Sequence, residues 1–300
     1  MSLDVAVVLG AFIVGIAVGL TGMGGGALMT PVLVILFRVQ PLAAVSSDLV
    51  ASFLMKPFGG AIHLRRGTVH WDLVGWLCLG SVPLAFLGAL LLHVLGTGRG
   101  IQNLIQVLLG LTLLIAAAAL AIREVLIRRR RQDDELGDLD RSAIRPRRLA
   151  TVAVGALGGL IVGVTSVGSG TLIVVLLLWL YPAMRTRDIV GTDLVQAIPL
   201  VGSAALGHLL FGNVQLGLTS SLVIGSVPGV ILGAQISSRA GGRVIRPVLA
   251  LVLLASGLKL LAVGTATLGV VVLGAALLVL GSAAVGRARA LSAAVASRAS

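Results

Sequence analysis

Only 11% of the residues in this 300-residue chain are charged, so the few that interrupt its apolar runs are the first candidates for chemistry. Lys56 lies near the middle of the apolar run 45–62. An ammonium at that depth of a bilayer costs about 2.5–3.5 kcal/mol, which calls for compensation by a bound anion or by Asp48, or else for snorkelling to the interface. Asp48 is eight residues away, ~12 Å along a helix. Asp48 and Asp193 stand in "SSDL" and "GTDL", where a carboxylate can cap first-turn N–H groups or take part in gating or coupling. His63 and His208, at the far ends of the same two runs, are expected at the interface, with a proton-coupling role open because imidazole titrates near neutral pH. Gln196 and Gln235 are read as buried amides that line a path or join helices.

A second group of candidates is backbone. "GLTGMGGGALMTP" places five glycines in the eight residues 19–26. Gly22, Gly24, Gly25 and Gly26 let an oxyanion approach the main chain, since no Cβ intervenes, and Thr21 adds a hydroxyl. "GVTSVGSGTLI" offers Thr165, Ser166, Gly168, Ser169 and Gly170 in the same way. Close helix packing is the competing use of such small residues. Gly22, Gly24 and Ala27 also fit a dinucleotide fingerprint, but that motif needs a strand before it and a soluble strand–helix unit around it. The apolar context and the altered second copy, "SVGSGT", exclude it. There is no Walker A sequence, so ATP hydrolysis by this chain alone is not expected.

The elements that must position these groups follow from composition. The chain is 57% hydrophobic with mean hydropathy +1.09, values that belong to an all-α integral membrane protein rather than a soluble domain. The formal net charge of +12 does not point to nucleic acid. Nine of the 23 basic residues lie in 123–148 and most others fall between apolar runs, as cytoplasmic loops do. The single cysteine, Cys78, leaves no intrachain disulfide or cysteine-based metal site, and no cofactor is expected. The first apolar run carries only Asp4 ahead of it, without the basic segment of a signal peptide, and is kept as part of the mature fold.

The apolar runs 5–20, 27–37, 45–62, 71–95 and 101–122 are followed, after a charged stretch, by 149–164, 171–181, 189–211, 214–237 and 244–263, and then by 267–285. The two sets match. Asp48 aligns with Asp193, His63 with His208 and "GSVP" at Pro83 with "GSVP" at Pro228, always 145 residues apart, whereas Lys56 aligns with Val201. Residues 1–122 therefore read as one membrane repeat, 123–148 as a cytoplasmic connector, 149–263 as a second repeat and 264–300 as an extra helix with a basic tail. With the connector inside, positive residues place Arg65 and Arg66, the segment 239–243 and the C-terminus inside, and Arg99, the "GNVQ" turn and the N-terminus outside, with Arg38 the one misplaced charge. Equivalent segments then face opposite sides, an inverted-topology repeat.

A bilayer core needs about 20 helical residues. Runs 27–37 and 171–181 have 11 each, and both follow a glycine-rich break. Paired short, interrupted segments of this kind point to a transporter's midplane binding site, where freed backbone is covered by protein or water. Pro83 and Pro228 are expected to set matching kinks.

The repeated glycine-rich segment, the Asp-containing run and "GSVPGVILGA" together resemble the TauE/SafE family of bacterial membrane proteins, the sulfite exporters, over roughly residues 5–263. The resemblance implies a secondary transporter or exporter of a small anion, plausibly sulfite, a sulfonate or another organosulfur oxyanion, in the cell inner membrane. A metal or cation carrier would want more carboxylates, histidines or thiolates in its spans; a non-transporting scaffold is the other alternative. An enzyme is not expected, since no acid, base and nucleophile cluster appears. The partners read from the chain are the lipid bilayer and the anion, with no coupling ion or oligomeric state assigned.

Overall fold

The computed structural model describes residues 4–21, 25–65, 67–96, 98–134, 146–237, 245–264 and 267–275, with the side chains of 59, 62–63, 125, 127–134 and 245–246 outside that description. The apolar runs become helices because only a helix satisfies its own backbone polar groups inside a single segment in lipid. They are α1 (Val5–Thr21), α2 (Gly26–Ile35), α3 (Pro41–Arg65), α4 (Trp71–Leu95), α5 (Arg99–Asp134), α6 (Arg148–Thr165), α7 (Leu172–Leu180), α8 (Thr186–Phe211), α9 (Leu216–Ser237) and α10 (Ile245–Leu260). A further helical stretch covers residues 267–275. Among the described residues five helices, α4, α6, α8, α9 and the Arg99–Glu124 part of α5, are long and apolar enough to cross a membrane. Large apolar side chains such as Ile13, Leu79, Leu111 and Trp179 are exposed, as a lipid-facing surface requires. This is an all-α, multi-pass membrane protein.

The two short runs are short helices. α2 has 10 residues and α7 has 9, so each rises only about 15 Å at 1.5 Å per residue. Tyr181, just beyond α7, receives a hydrogen bond from the Arg147 N–H at 2.9 Å. The far end of α7 has therefore come back to where α6 began. α6 enters, the chain breaks, and α7 returns to the side of entry.

Small residues set how the helices pair. A Cβ on Gly15 or Gly19 would sit 2.6 or 2.3 Å from the carbonyl oxygen of Ser226 or Val230, and one on Gly229 or Gly233 would meet the carbonyl of Phe12 or Ile16 at 2.4 or 2.2 Å. α1 and α9 thus touch backbone to backbone, and the contacts climb both helices in the same direction. α4 and α6 do likewise: Gly155, Gly159 and Gly163 press on the carbonyls of Leu77, Ser81 and Ala85, each at 2.3 Å from the would-be Cβ. Without a hydrophobic drive between helices in lipid, such contact supplies the dispersion energy of association. α3 and α8 cross in opposite directions, since Gly60 meets Ile198 while Gly202 meets Phe53.

α10 packs on α5 and α2, α7 on α5, α3 on α9 and α4 on α8. Exchanging α1 with α6, α2 with α7, α3 with α8, α4 with α9 and α5 with α10 converts α1/α9 into α6/α4, α3/α9 into α8/α4 and α2/α10 into α7/α5. The α3/α8 and α5/α10 pairs map onto themselves.

Three helix boundaries depart from the sequence reading. α5 runs on to Asp134, so the boundary drawn between 122 and 123 falls inside a continuous helix. α3 and α8 begin earlier than the apolar runs, at Pro41 and Thr186. Proline suits a first helical position because its missing N–H would be unpaired there anyway.

Candidate functional site

The two breaks meet. A Cβ on Gly26, the first residue of α2, would lie 1.8 Å from the carbonyl oxygen of Ser166, and one on Gly25 would lie 2.5 Å from the Met55 methyl of α3. Only glycine permits that approach. In the second break Ser166 adopts the left-handed conformation (φ 61°), with Gly168 (φ 130°) and Gly170 (φ 86°) following. The turn is sharp, and it presents Ser166 and Ser169 to the first half of the chain. Neither α2 nor α7 has a side-chain cap on its N-terminus, although both starts are buried. The positive dipole ends of two helices therefore sit inside the protein, and at the start of α7 the Leu172 and Ile173 N–H groups donate to the Gly168 carbonyl at 3.0 and 3.4 Å.

Asp48 lies between the breaks. Its Oδ2 accepts hydrogen bonds from Thr30 Oγ1 (2.8 Å) and Ser166 Oγ (2.7 Å), and its Oδ1 accepts from Ser52 Oγ (3.3 Å). It joins α2, α3 and the second break. Lys56, two turns further along α3, is 7% exposed and donates to Ser169 Oγ at 3.0 Å. Its charge acts on both Asp48 and Asp193. Asp48, Ser52 and Lys56 are spaced by four and so share one face of α3.

Asp193 of α8 completes the cluster from the other half. It is fully buried, and neither carboxylate oxygen accepts a formed hydrogen bond. The Gly170 backbone, Lys56 and Arg123 lie beside it. Arg123 of α5 is 3% exposed and donates from Nη1 to the Gly170 carbonyl at 3.3 Å. Two cations and two carboxylates thus surround the point where the breaks meet.

Several sequence expectations need correction here. Asp48 and Asp193 are not caps: each lies two turns inside its helix, because α3 and α8 start earlier than the apolar runs do. His208 is enclosed by protein. It is fully buried, with Nε2 donating to the Gly163 carbonyl at 2.8 Å and Nδ1 paired with Ser46 Oγ at 2.8 Å. Since a carbonyl only accepts, Nε2 carries a hydrogen. Ser46 Oγ also accepts from the Asn213 N–H at 3.2 Å, so this histidine ties α3, α6 and the turn before α9 together. Gln196 donates from Nε2 to Ser81 Oγ at 2.7 Å, joining α8 to α4, whereas Gln235 is exposed. The hydroxyls of Thr21 and Thr165 bond back to the carbonyls of Ala17 and Ile161, which holds their helices' last turns.

Gly22 and Gly24, and the side chain of His63, lie outside the described residues. The structure brings together Gly25, Gly26, Asp48, Lys56, Ser166, Gly168, Ser169, Gly170 and Asp193 from the residues singled out in the sequence. Three polar contributors were not singled out there. Thr30 and Ser52 are each one turn from a named residue, Gly26 and Asp48, and the four-residue spacing was a usable signal. Arg123 was assigned to the connector because it opens the charged stretch, yet four uncharged or acidic residues separate it from the run beginning at Arg128. Among the described residues no three His, Cys, Asp or Glu side chains converge.

A multi-pass helical membrane protein with a buried polar centre at broken helices is the architecture of a membrane transporter. The chain belongs to the TauE/SafE family: the model described as "Sulfite exporter TauE/SafE" matches residues 7–260. It is similar to the probable membrane transporter protein YjnA of Bacillus subtilis, 37% identical over 261 residues that cover 86% of this chain and 100% of the relative. It is also similar to the probable membrane transporter protein YdhB of the same organism, 24% identical over 85% of this chain and 99% of the relative. No solved structure matches the chain.

Proposed function

We propose that this membrane transporter carries a small anion, of the sulfite, sulfonate or related organosulfur oxyanion class, and holds it where the two glycine breaks meet. The observation that carries the reading is the convergence of Lys56, Arg123 and the starts of two short helices on one buried point. An oxyanion there is offered an ammonium, a guanidinium, serine hydroxyls and the positive ends of two helix dipoles, the groups that attract and bind such an ion. The name of the matching family supports sulfite as the first member of the class to try.

The alternating access that transport needs is read as the rocking of two inverted repeats, 1–122 and 149–263, joined by the connector 123–148. The 145-residue register and the exchange of helix pairings between the two sets support this reading. So do the opposed directions of α3 and α8. With the connector and C-terminus in the cytoplasm, the protein sits in the inner membrane, and an inside-negative potential favours exit of a bare monoanion by about 2.3 kcal/mol per 100 mV. No ATP is needed for that direction.

Counterflow in proteoliposomes of the purified protein tests the reading with sulfite, sulfate, thiosulfate, isethionate and other taurine-derived sulfonates, and small carboxylates. Saturable exchange of at least one sulfur oxyanion is expected. If none of the anions moves faster than in protein-free vesicles, the anion reading fails.

A further inference from the structure

The buried centre is balanced in formal charge before any anion arrives: Lys56 and Arg123 face Asp48 and Asp193. The two carboxylates are not equivalent. Asp48 is held by three hydroxyl donors, those of Thr30, Ser52 and Ser166. Asp193, fully buried and without a hydrogen bond on either oxygen, has the charges of Lys56 and Arg123 and the Gly170 backbone as its compensation. An anion that engages those two cations strips Asp193 of their compensation. Removing one partner of a buried charge pair is strongly unfavourable, and an anion beside an ionised Asp193 adds like-charge repulsion. A proton on Asp193 removes both penalties, and the resulting O–H becomes one more donor for the anion.

We propose that Asp193 is the proton-binding group that couples anion movement to protons, so that a monoanion and one proton enter the site together and leave together. The inference rests on the anion reading above. The proton adds to an Asp193 carboxylate oxygen on the side from which the anion enters and is released from that oxygen on the opposite side. Net charge moved is zero for a monoanion, which cancels the membrane-potential drive of a bare anion.

The surroundings leave few other groups for this role. α3 presents Lys56, with Asp48 on the same face, and α5 presents Arg123, with the part-buried Glu124 next to it in the chain. The segment before α7 presents only the Gly170 backbone. On α4, Cys78 is part-exposed, while Asp72 and His93 lie at the helix ends; Arg148 opens α6 and Tyr181 follows α7. α9 carries no titratable side chain, and on α8 itself Arg187, Asp188 and His208 lie near its two ends.

The test is proton-to-anion stoichiometry in proteoliposomes of the full chain, read with a trapped pH dye. Isethionate is the first probe because a sulfonate has no titratable proton of its own; where the counterflow panel selects another anion, that anion is used at a pH where its charge is constant. Wild-type protein is expected to move about one proton per anion, with apparent anion affinity tightening about tenfold per pH unit of acidification in the coupled range. Asp193→Asn is expected to lower the proton-to-anion ratio at least tenfold, and Asp193→Glu to restore it. Anion flux with no accompanying proton, or an Asp193→Asn ratio equal to wild type, overturns the coupling while leaving anion transport intact. Should Asp193→Asn fail to fold, the wild-type ratio decides, a value near zero overturning the proposal. Absence of any anion flux overturns the transport reading and this inference with it.

Discussion

Lys56 is the cation to which the account assigns most. A charge-assisted hydrogen bond is worth about 1.5–3 kcal/mol, so Lys56→Gln, which keeps length and polarity, should weaken apparent anion affinity roughly ten- to a hundredfold in counterflow; unchanged affinity would remove Lys56 from the site. Gly26→Ala makes a different kind of demand. Its new methyl would meet the Ser166 carbonyl at 1.8 Å, and because both partners are backbone the breaks must move apart. Loss of thermal stability of several degrees in detergent is expected by scanning fluorimetry, together with loss of flux. The sequence showed Lys56, Asp48 and the glycines as candidates. It did not show the depth of Asp48 and Asp193, because a run of apolar letters does not reveal that its helix began about one turn earlier. Nor did it separate Arg123 from the basic stretch after it, since one continuous helix carries both.

At the level of elements, the pairs α1/α9 and α4/α6 are held by glycine steps of four residues, with carbonyl oxygens seated where side chains would otherwise be. Overpacking a tight interface costs about 1–3 kcal/mol or more, and a four-carbon side chain here must separate two backbones. Gly159→Leu and Gly229→Leu should each reduce the folded, monodisperse fraction after detergent extraction, judged by size-exclusion chromatography. Gly75→Leu serves as the control, because nothing lies within 4 Å of its would-be Cβ. Normal yields for Gly159→Leu would contradict the packing account. The short helices were legible from length alone, since 11 apolar residues cannot span a bilayer. Which helices pair was not legible. The glycines marked contact surfaces without naming partners, and each glycine-lined helix finds its partner in the other half of the chain.

For the whole molecule, the 145-residue register was visible in the sequence and predicts a fold built from two oppositely directed units. Reporter fusions test the orientation: a fusion at the N-terminus and one in the turn at residues 212–215 should both report outside, and one at residue 66 or in the connector should report inside. An N-terminus found inside would refute the inverted count. Beyond orientation, the central claim is that the meeting point of the breaks is an anion site opened to one side at a time. Cys78 is the only cysteine of the chain, so Cys78→Ser gives a clean background in which Ser169→Cys reports on that point. The decisive measurement is its rate of modification by the membrane-impermeant sulfonate reagent 2-sulfonatoethyl methanethiosulfonate, applied in turn to right-side-out and inside-out vesicles. The account predicts reaction from both sides, slowed from each by the transported anion. No reaction from either side, or a rate indifferent to that anion, would contradict it.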